Sequence, residues 1–121
     1  MVVKRCGDLF ILFLVLVLAL FGGSCRKDKP PDKTPPTVPN GIAITAVSIS
    51  EIKITWKPAV DDSGKVKGYK VYKNGKHLKS IETTSVSDTG LIRQVKFCYR
   101  ISAYDKDGNE SAQSTEVCAI L

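Results

Sequence analysis

Residues 95–104 read Val95-Lys96-Phe97-Cys98-Tyr99-Arg100-Ile101-Ser102-Ala103-Tyr104. Apolar and polar side chains alternate through the stretch, and a period of two belongs to a β-strand with one face in a core. Asp105-Lys106-Asp107-Gly108-Asn109 then turns the chain, and Thr115-Glu116-Val117-Cys118-Ala119 returns. A hairpin centred on Gly108 sets Phe97 opposite Ala119 and Tyr99 opposite Val117, both apolar pairs. A slip of one residue would oppose core positions to solvent positions. The same centre sets Cys98 directly opposite Cys118 on the outer face, at a Cα separation of ~4.5–5.5 Å that a disulfide can span.

The alternation recurs upstream. Ile42–Ala46 and Ile52–Trp56 carry it, then Tyr69–Tyr72, Leu78–Ile81 and Thr84–Ser87. Asn74-Gly75 between the middle runs is the strongest short hairpin signal. Seven short strands with turn signals about 8–12 residues apart predict an all-β fold, a seven-strand antiparallel sandwich of two sheets. Trp56, Tyr69, Val71, Phe97, Tyr99 and Ile101 are its expected core.

The first residues have a different character. Lys4 and Arg5 precede an unbroken apolar run over residues 9–21, which ends at Gly22-Gly23-Ser24-Cys25. A positive start, a short apolar run and a small-residue exit form a secretory signal. As a helix the run rises about 20 Å, short of a ~30 Å hydrocarbon core. An uncleaved anchor would have to bury Asp8 and Arg5. Gly23-Ser24-Cys25 resembles the lipobox of bacterial lipoproteins, in which the cysteine is lipidated and becomes the new N-terminus. Gly22 departs from that pattern, since the family usually carries an aliphatic residue there. The rival reading is ordinary cleavage nearby, with Cys25 a spare thiol and the protein secreted. Residues 1–24 are thus expected to be a signal peptide. Residues 25–39, with prolines at 30, 31, 35, 36 and 39, are expected to be a lipid-anchor cysteine and a proline-rich linker. Residues 40–121 are expected to form the domain. Fourteen residues of extended coil at ~3.1 Å each give a spacer of roughly 40 Å.

The sandwich resembles a fibronectin type III domain, in the bacterial form found on secreted glycosidases and surface proteins. The matching residues are Pro35-Pro36-Thr37-Val38-Pro39 at the entrance, Trp56, and Asp61-Asp62 before Gly68-Tyr69-Lys70-Val71-Tyr72. They continue with Asn74-Gly75 and Asp88-Thr89-Gly90-Leu91, then Ser102-Ala103-Tyr104-Asp105 with Gly108-Asn109-Glu110-Ser111. Phe97 stands where the family usually has a tyrosine whose hydroxyl braces the preceding corner. The resemblance implies an immunoglobulin-like, non-enzymatic module.

A short chain with one histidine leaves little room for a catalytic centre, and no catalytic residue, metal or cofactor is expected. Cys98 and Cys118 are read as a structural disulfide closing a loop worth about 3 kcal/mol. Free thiols are the alternative, and a metal pair lacks two further ligands. Asp105, Asp107 and Asn109 with Glu116 have some spacing of a calcium loop, but Glu110 replaces its required glycine, so turn chemistry is the expected role. The charge is +6, with 18 Lys+Arg against 12 Asp+Glu. Lys70, Tyr72 and Lys73 are the candidate patch for an anionic ligand, Lys70 and Tyr72 sharing the outer face. The plain alternative is a solubilising face that blocks edge pairing. Nucleic acid is not an expected partner, since no recognition helix or oligonucleotide fold is visible. The expectation is a monomeric module, lipid-anchored through Cys25 to a bacterial envelope membrane (the outer one in a Gram-negative host), mediating contact with an envelope protein or polysaccharide or acting as a spacer. The alternative is a carbohydrate- or anionic-polymer-binding accessory beside a separate glycosidase.

Overall fold

The computed structural model describes residues 29–62 and 64–121. Seven strands follow one another: β1 (Asn40–Ser48), β2 (Glu51–Lys57), β3 (Val66–Lys73), β4 (Lys76–Ile81), β5 (Ser85–Asp88), β6 (Lys96–Asp105) and β7 (Val117–Ile120). They form two antiparallel sheets, one in the order β1-β2-β5 and the other β4-β3-β6-β7. This is the seven-strand antiparallel sandwich that the alternation predicts. Among the described residues no helix is long and apolar enough to cross a membrane.

Alternation becomes packing because successive strand residues face opposite ways. Ile52, Ile54 and Trp56 of β2 meet Tyr69 and Val71 of β3 and Phe97, Tyr99, Ile101 and Ala103 of β6; Val86 and Leu91 complete the core. All six core residues expected from the sequence are buried. Trp56 and Tyr69 pack edge to face at 5.4 Å between centroids, and the Tyr69 hydroxyl accepts the Ala59 N–H at 3.0 Å. Gly68 is required by close approach: a Cβ there would lie 2.7 Å from the Tyr104 hydroxyl and 2.8 Å from the Ile81 carbonyl oxygen.

Two regions differ from the sequence expectation. The returning strand begins at Val117 rather than Thr115. Before it, serine hydroxyls substitute for part of the ladder. Ser111 Oγ accepts the Ala103 N–H and Ser114 Oγ accepts the Ile101 N–H, each at 2.9 Å, while their own N–H groups donate back to the carbonyls of the same two residues. Serine competes with the backbone in this way, and the segment stays beside β6 without being a strand.

The proline-rich segment is also not a free spacer throughout. Residues 31–121 form one compact unit, and Pro36 and Pro39 are buried in it. The Thr37 N–H donates to the Val60 carbonyl and the Val60 N–H donates to Thr37 Oγ1, both at 2.8 Å. Asn109 Nδ2 donates to the Asp32 carbonyl at 2.8 Å. Any free spacer therefore ends near Pro31. The signal peptide over 1–24 and Cys25 lie outside the described residues. Among the described residues the hydrophobic core runs from Ile42 onward, all of it within the compact 31–121 unit.

Candidate functional site

Strand parity sorts the three residues of the candidate patch. On β3, Tyr69 and Val71 face the core, so Lys70 and Tyr72 face outward and Lys73 has the inward parity. The structure brings Lys70 and Tyr72 together, as expected, and separates Lys73 from them.

Lys70 and Tyr72 converge on Glu110, which the chain delivers through an isolated bridge between Tyr104 and Glu110 beyond the end of β6. Lys70 Nζ donates to Glu110 Oε2 at 2.9 Å, and the Tyr72 and Ser102 hydroxyls both donate to Oε1. Desolvation works to raise the Glu110 pKa, but the hydrogen bonds from Ser102, Tyr72 and Lys70 outweigh it and hold the carboxyl at about 2. The hydrogen bond to Glu110 raises Lys70, and burial followed by the same carboxylate raises Tyr72. The Lys70 ammonium also stands 5.7 Å from the Tyr104 ring centroid. Glu110 was not singled out from the sequence as a partner; it lies 40 positions from Lys70, and no short-range pattern connects them.

Lys73 closes the inner edge of the sandwich. Its Nζ lies 2.7 Å from Asp88 Oδ2 and 4.9 Å from the Phe97 ring centroid. The Tyr99 hydroxyl donates to the same Asp88 oxygen at 2.7 Å. Burial, then Asp88, pushes the Tyr99 phenol well above its ordinary pKa. Phe97, which lacks the hydroxyl usual in the resembled family, thus has a cation over its ring, and the brace falls to Tyr99. The register also places Lys76 opposite Lys73 and Lys79 opposite Val71, so three lysines share one side along the β4 edge. Lysines along an edge strand block edge pairing. His77 faces the other way, edge-on to Tyr72 at 5.7 Å, with Nε2 3.0 Å from Ser80 Oγ. A shallow recess of ≈ 330 Å³, lined by Lys73, Asn74, Lys76, His77 and Leu78, opens at this hairpin.

Cys98 pairs with Cys118 in the register centred on Gly108, with S–S 2.09 Å and Cα–Cα 4.0 Å. Asn74 explains the close approach. Its N–H donates to the Cys98 carbonyl and its Oδ1 accepts the Cys98 N–H, so both backbone groups of Cys98 point toward β3. Toward β7 the cysteines are then a non-hydrogen-bonded pair, the geometry in which side chains come closest. Neighbouring Glu116 is within reach of both sulfurs.

At the opposite end, Asp105 closes its own turn. Its Oδ1 accepts the Asp107 and Asn109 N–H groups, and its Oδ2 accepts Asn109 Nδ2, each at 2.9 Å. Burial works to raise its pKa, but these amides prevail and lower it. Asp107 and Asn109 therefore serve the turn, as the sequence suggests. Carboxylate oxygens of Asp32, Asp61 and Asp105 lie within 4.8 Å of one another, which is the collection of hard oxygen donors best suited to a divalent cation among the described residues.

These features define an immunoglobulin-like β-sandwich module in which Lys70 and Tyr72 on the outer face are paired with Glu110. The fibronectin type III domain family model matches residues 34–117, and the chain belongs to that family. Domains of this family are typically non-catalytic, even where they are parts of enzymes. Exoglucanase B of Cellulomonas fimi is 40% identical over 84 residues, covering 69% of this chain and 8% of that protein. Chitinase Chi52 of Paenibacillus xylanexedens is 35% identical over 95 residues, covering 78% and 18%. Among solved structures, Chitinase ChiA74 from Bacillus thuringiensis superposes with a TM-score of 0.65 at 24% identity, over 87% of this chain and 16% of that one. The chain spans less than a fifth of the length of these relatives.

Proposed function

We propose that this chain is a non-enzymatic accessory module at the bacterial cell envelope, anchored through lipid on Cys25 and serving to space or present a contact surface to an envelope protein or polysaccharide. The observation that carries the accessory role is the family match over 34–117, together with relatives named as exoglucanase and chitinase in which the similar segment is a small part of the chain. The anchor rests on the apolar run over 9–21 followed by Gly23-Ser24-Cys25. Several acyl chains at ~0.8 kcal/mol per buried CH₂ would hold such a module firmly, where one would not. Non-reduced intact mass of the protein extracted from bacterial membranes tests the proposal. The expected species is residues 25–121 plus acyl groups, less two hydrogens for the Cys98–Cys118 bond. A soluble, unlipidated species cleaved elsewhere refutes the tether and leaves a secreted module.

The enzyme names among the relatives favour one second reading, an accessory that holds a polysaccharide or anionic polymer beside a separate glycosidase. Its surface would be the outer face at Lys70 and Tyr72, with Lys73 contributing only through the fold. Retention on envelope polysaccharide should fall when Lys70 and Tyr72 are both changed to Ala. Unchanged retention by a folded double variant removes this face from consideration.

A further inference from the structure

Exposed aliphatic side chains gather at one end of the sandwich. The β1–β2 turn lies at the end where β5 finishes, since Ile52 pairs with Asp88. The Leu91 N–H donates to the Ser50 carbonyl at 3.0 Å, so Ile49 and Ile92 flank a single hydrogen bond. The Gln94 N–H donates to the Leu121 carbonyl at 2.9 Å, and Lys96 pairs with Ile120, which brings Val95 and Ile120 to the same end. Ile49, Ile92 and Ile120 are 68%, 70% and 64% exposed. Ile49 and Ile92 lie outside every strand and Ile120 ends the edge strand β7, none of them in the core, and exposed aliphatic side chains gathered at one end mark an interaction surface.

The charge around the patch identifies the partner. Arg93 sits between Ile92 and Gln94, Lys96 opens β6, and Lys76 follows the Asn74-Gly75 turn at the same end. Among the described residues none of these three cations forms an ion pair, unlike Lys70, Lys73 and Arg100. Glu51 is the acidic residue at these tips that is not already bound, since Asp88 is held by Lys73 and Tyr99. The three-carboxylate cluster of Asp32, Asp61 and Asp105 lies at the far end, beyond the finish of β6. A second copy of the chain docking here would set these cations against their own kind. The tips also lack the tyrosine, tryptophan and buried polar anchors that dominate protein interfaces. Separate aliphatic tips ringed by unpaired cations match a surface that is apolar beneath and anionic above.

We propose that this end of the sandwich docks on an anionic phospholipid surface, with Ile49 and Ile92 entering the acyl boundary and Arg93, Lys96 and Lys76 meeting the headgroups. The contact is independent of lipid on Cys25, and the 31–121 unit, which lacks that residue, isolates it. Co-sedimentation of this unit with phosphatidylglycerol vesicles should show binding that phosphatidylcholine vesicles do not support and that weakens with salt. A basic side chain near such a surface contributes ~1 kcal/mol, so Arg93→Gln with Lys96→Gln should lower the partition coefficient about 30-fold. Ile49→Ser with Ile92→Ser should lower it by about tenfold or more. Exposed substitutions of this kind leave stability within about ±0.5 kcal/mol, which urea unfolding of each variant checks. Absence of binding to phosphatidylglycerol, equal binding to both lipids, or retention of binding by both folded variants overturns the proposal. So does a concentration-dependent dimer that Ile49→Ser with Ile92→Ser abolishes, because the patch would then be a self-contact.

Discussion

Replacing Glu110 with Gln removes one negative charge and little volume from beneath Lys70, Tyr72 and Ser102. The carboxyl titrates at about 2 against an ordinary 4.5. At ~1.36 kcal/mol per unit, that difference corresponds to roughly 3 kcal/mol if water screened nothing. The side chains of Lys70 and Glu110 keep 35% and 29% of their surface in solvent, so screening reduces the figure to about 1–2 kcal/mol. Gln can still accept from one hydroxyl, but it turns an NH₂ toward another donor. The sign follows from the direction of the shift. A carboxyl depressed in the folded state stabilises fully above its unfolded pKa and loses that contribution as pH falls from about 4.5 towards 2. Glu110→Gln should therefore lower stability by about 1–2 kcal/mol near pH 7, a fall in Tm of ~4–8 °C per kcal/mol, and the gap should narrow steadily below pH ~4.5. Urea unfolding followed by the fluorescence of Trp56, the single tryptophan and a buried one, measures both. Glu116→Gln is the control, because Arg100 and Glu116 are nearly half exposed at 3.4 Å and a pair of that kind contributes under ~1 kcal/mol. A Glu110→Gln midpoint equal to wild type at neutral pH, or a gap that does not change on acidification, would refute the reasoning.

Asp88→Ala leaves the Lys73 ammonium and the Tyr99 hydroxyl without their shared acceptor at the inner edge, and should cost about 2–4 kcal/mol by urea unfolding. Tyr99→Phe, which removes one donor and keeps the ring, should cost only about 1 kcal/mol in the same assay. Reducing Cys98–Cys118, or changing both to Ser, reopens a loop with a sequence separation of 20 and should lower stability by about 3 kcal/mol, read as the shift in urea midpoint with and without reductant. Gly68→Ala forces a Cβ against the Ile81 carbonyl and the Tyr104 ring, and should lose about 1–3 kcal/mol. Gly75→Ala meets open space but sits at φ +83°, so its loss, about 1–2 kcal/mol, should come from backbone strain alone. Thermal unfolding separates the two glycine variants, because trimming Tyr104 should recover part of the Gly68→Ala loss, the Ile81 carbonyl clash remaining, and none of the Gly75→Ala loss.

What could be read in advance was whatever depends on strand period. Phe97, Tyr99 and Ile101 alternate with Cys98, Arg100 and Ser102, and that alone fixes a face, a register against Val117 and Ala119, and the juxtaposition of Cys98 with Cys118. The inward position of Lys73 was equally legible, two residues on from Val71, although its chemistry suggested company with Lys70. What could not be read are the contacts that cross the chain: Glu110 beneath Lys70, Asp88 beneath Lys73, and Asn109 on Asp32 at a separation of 77. Such partners are chosen by how loops fall against the finished sheets, and no local pattern carries that choice. The consequence for function is concrete. A net charge of +6 makes every lysine on β3 look available, but the fold spends Lys70 and Lys73 on internal carboxylates. Among the described residues the cations left without acids include Lys76, Arg93 and Lys96, at the end that carries the exposed isoleucines. Composition counts the charges, and topology decides which of them still face outward unpaired.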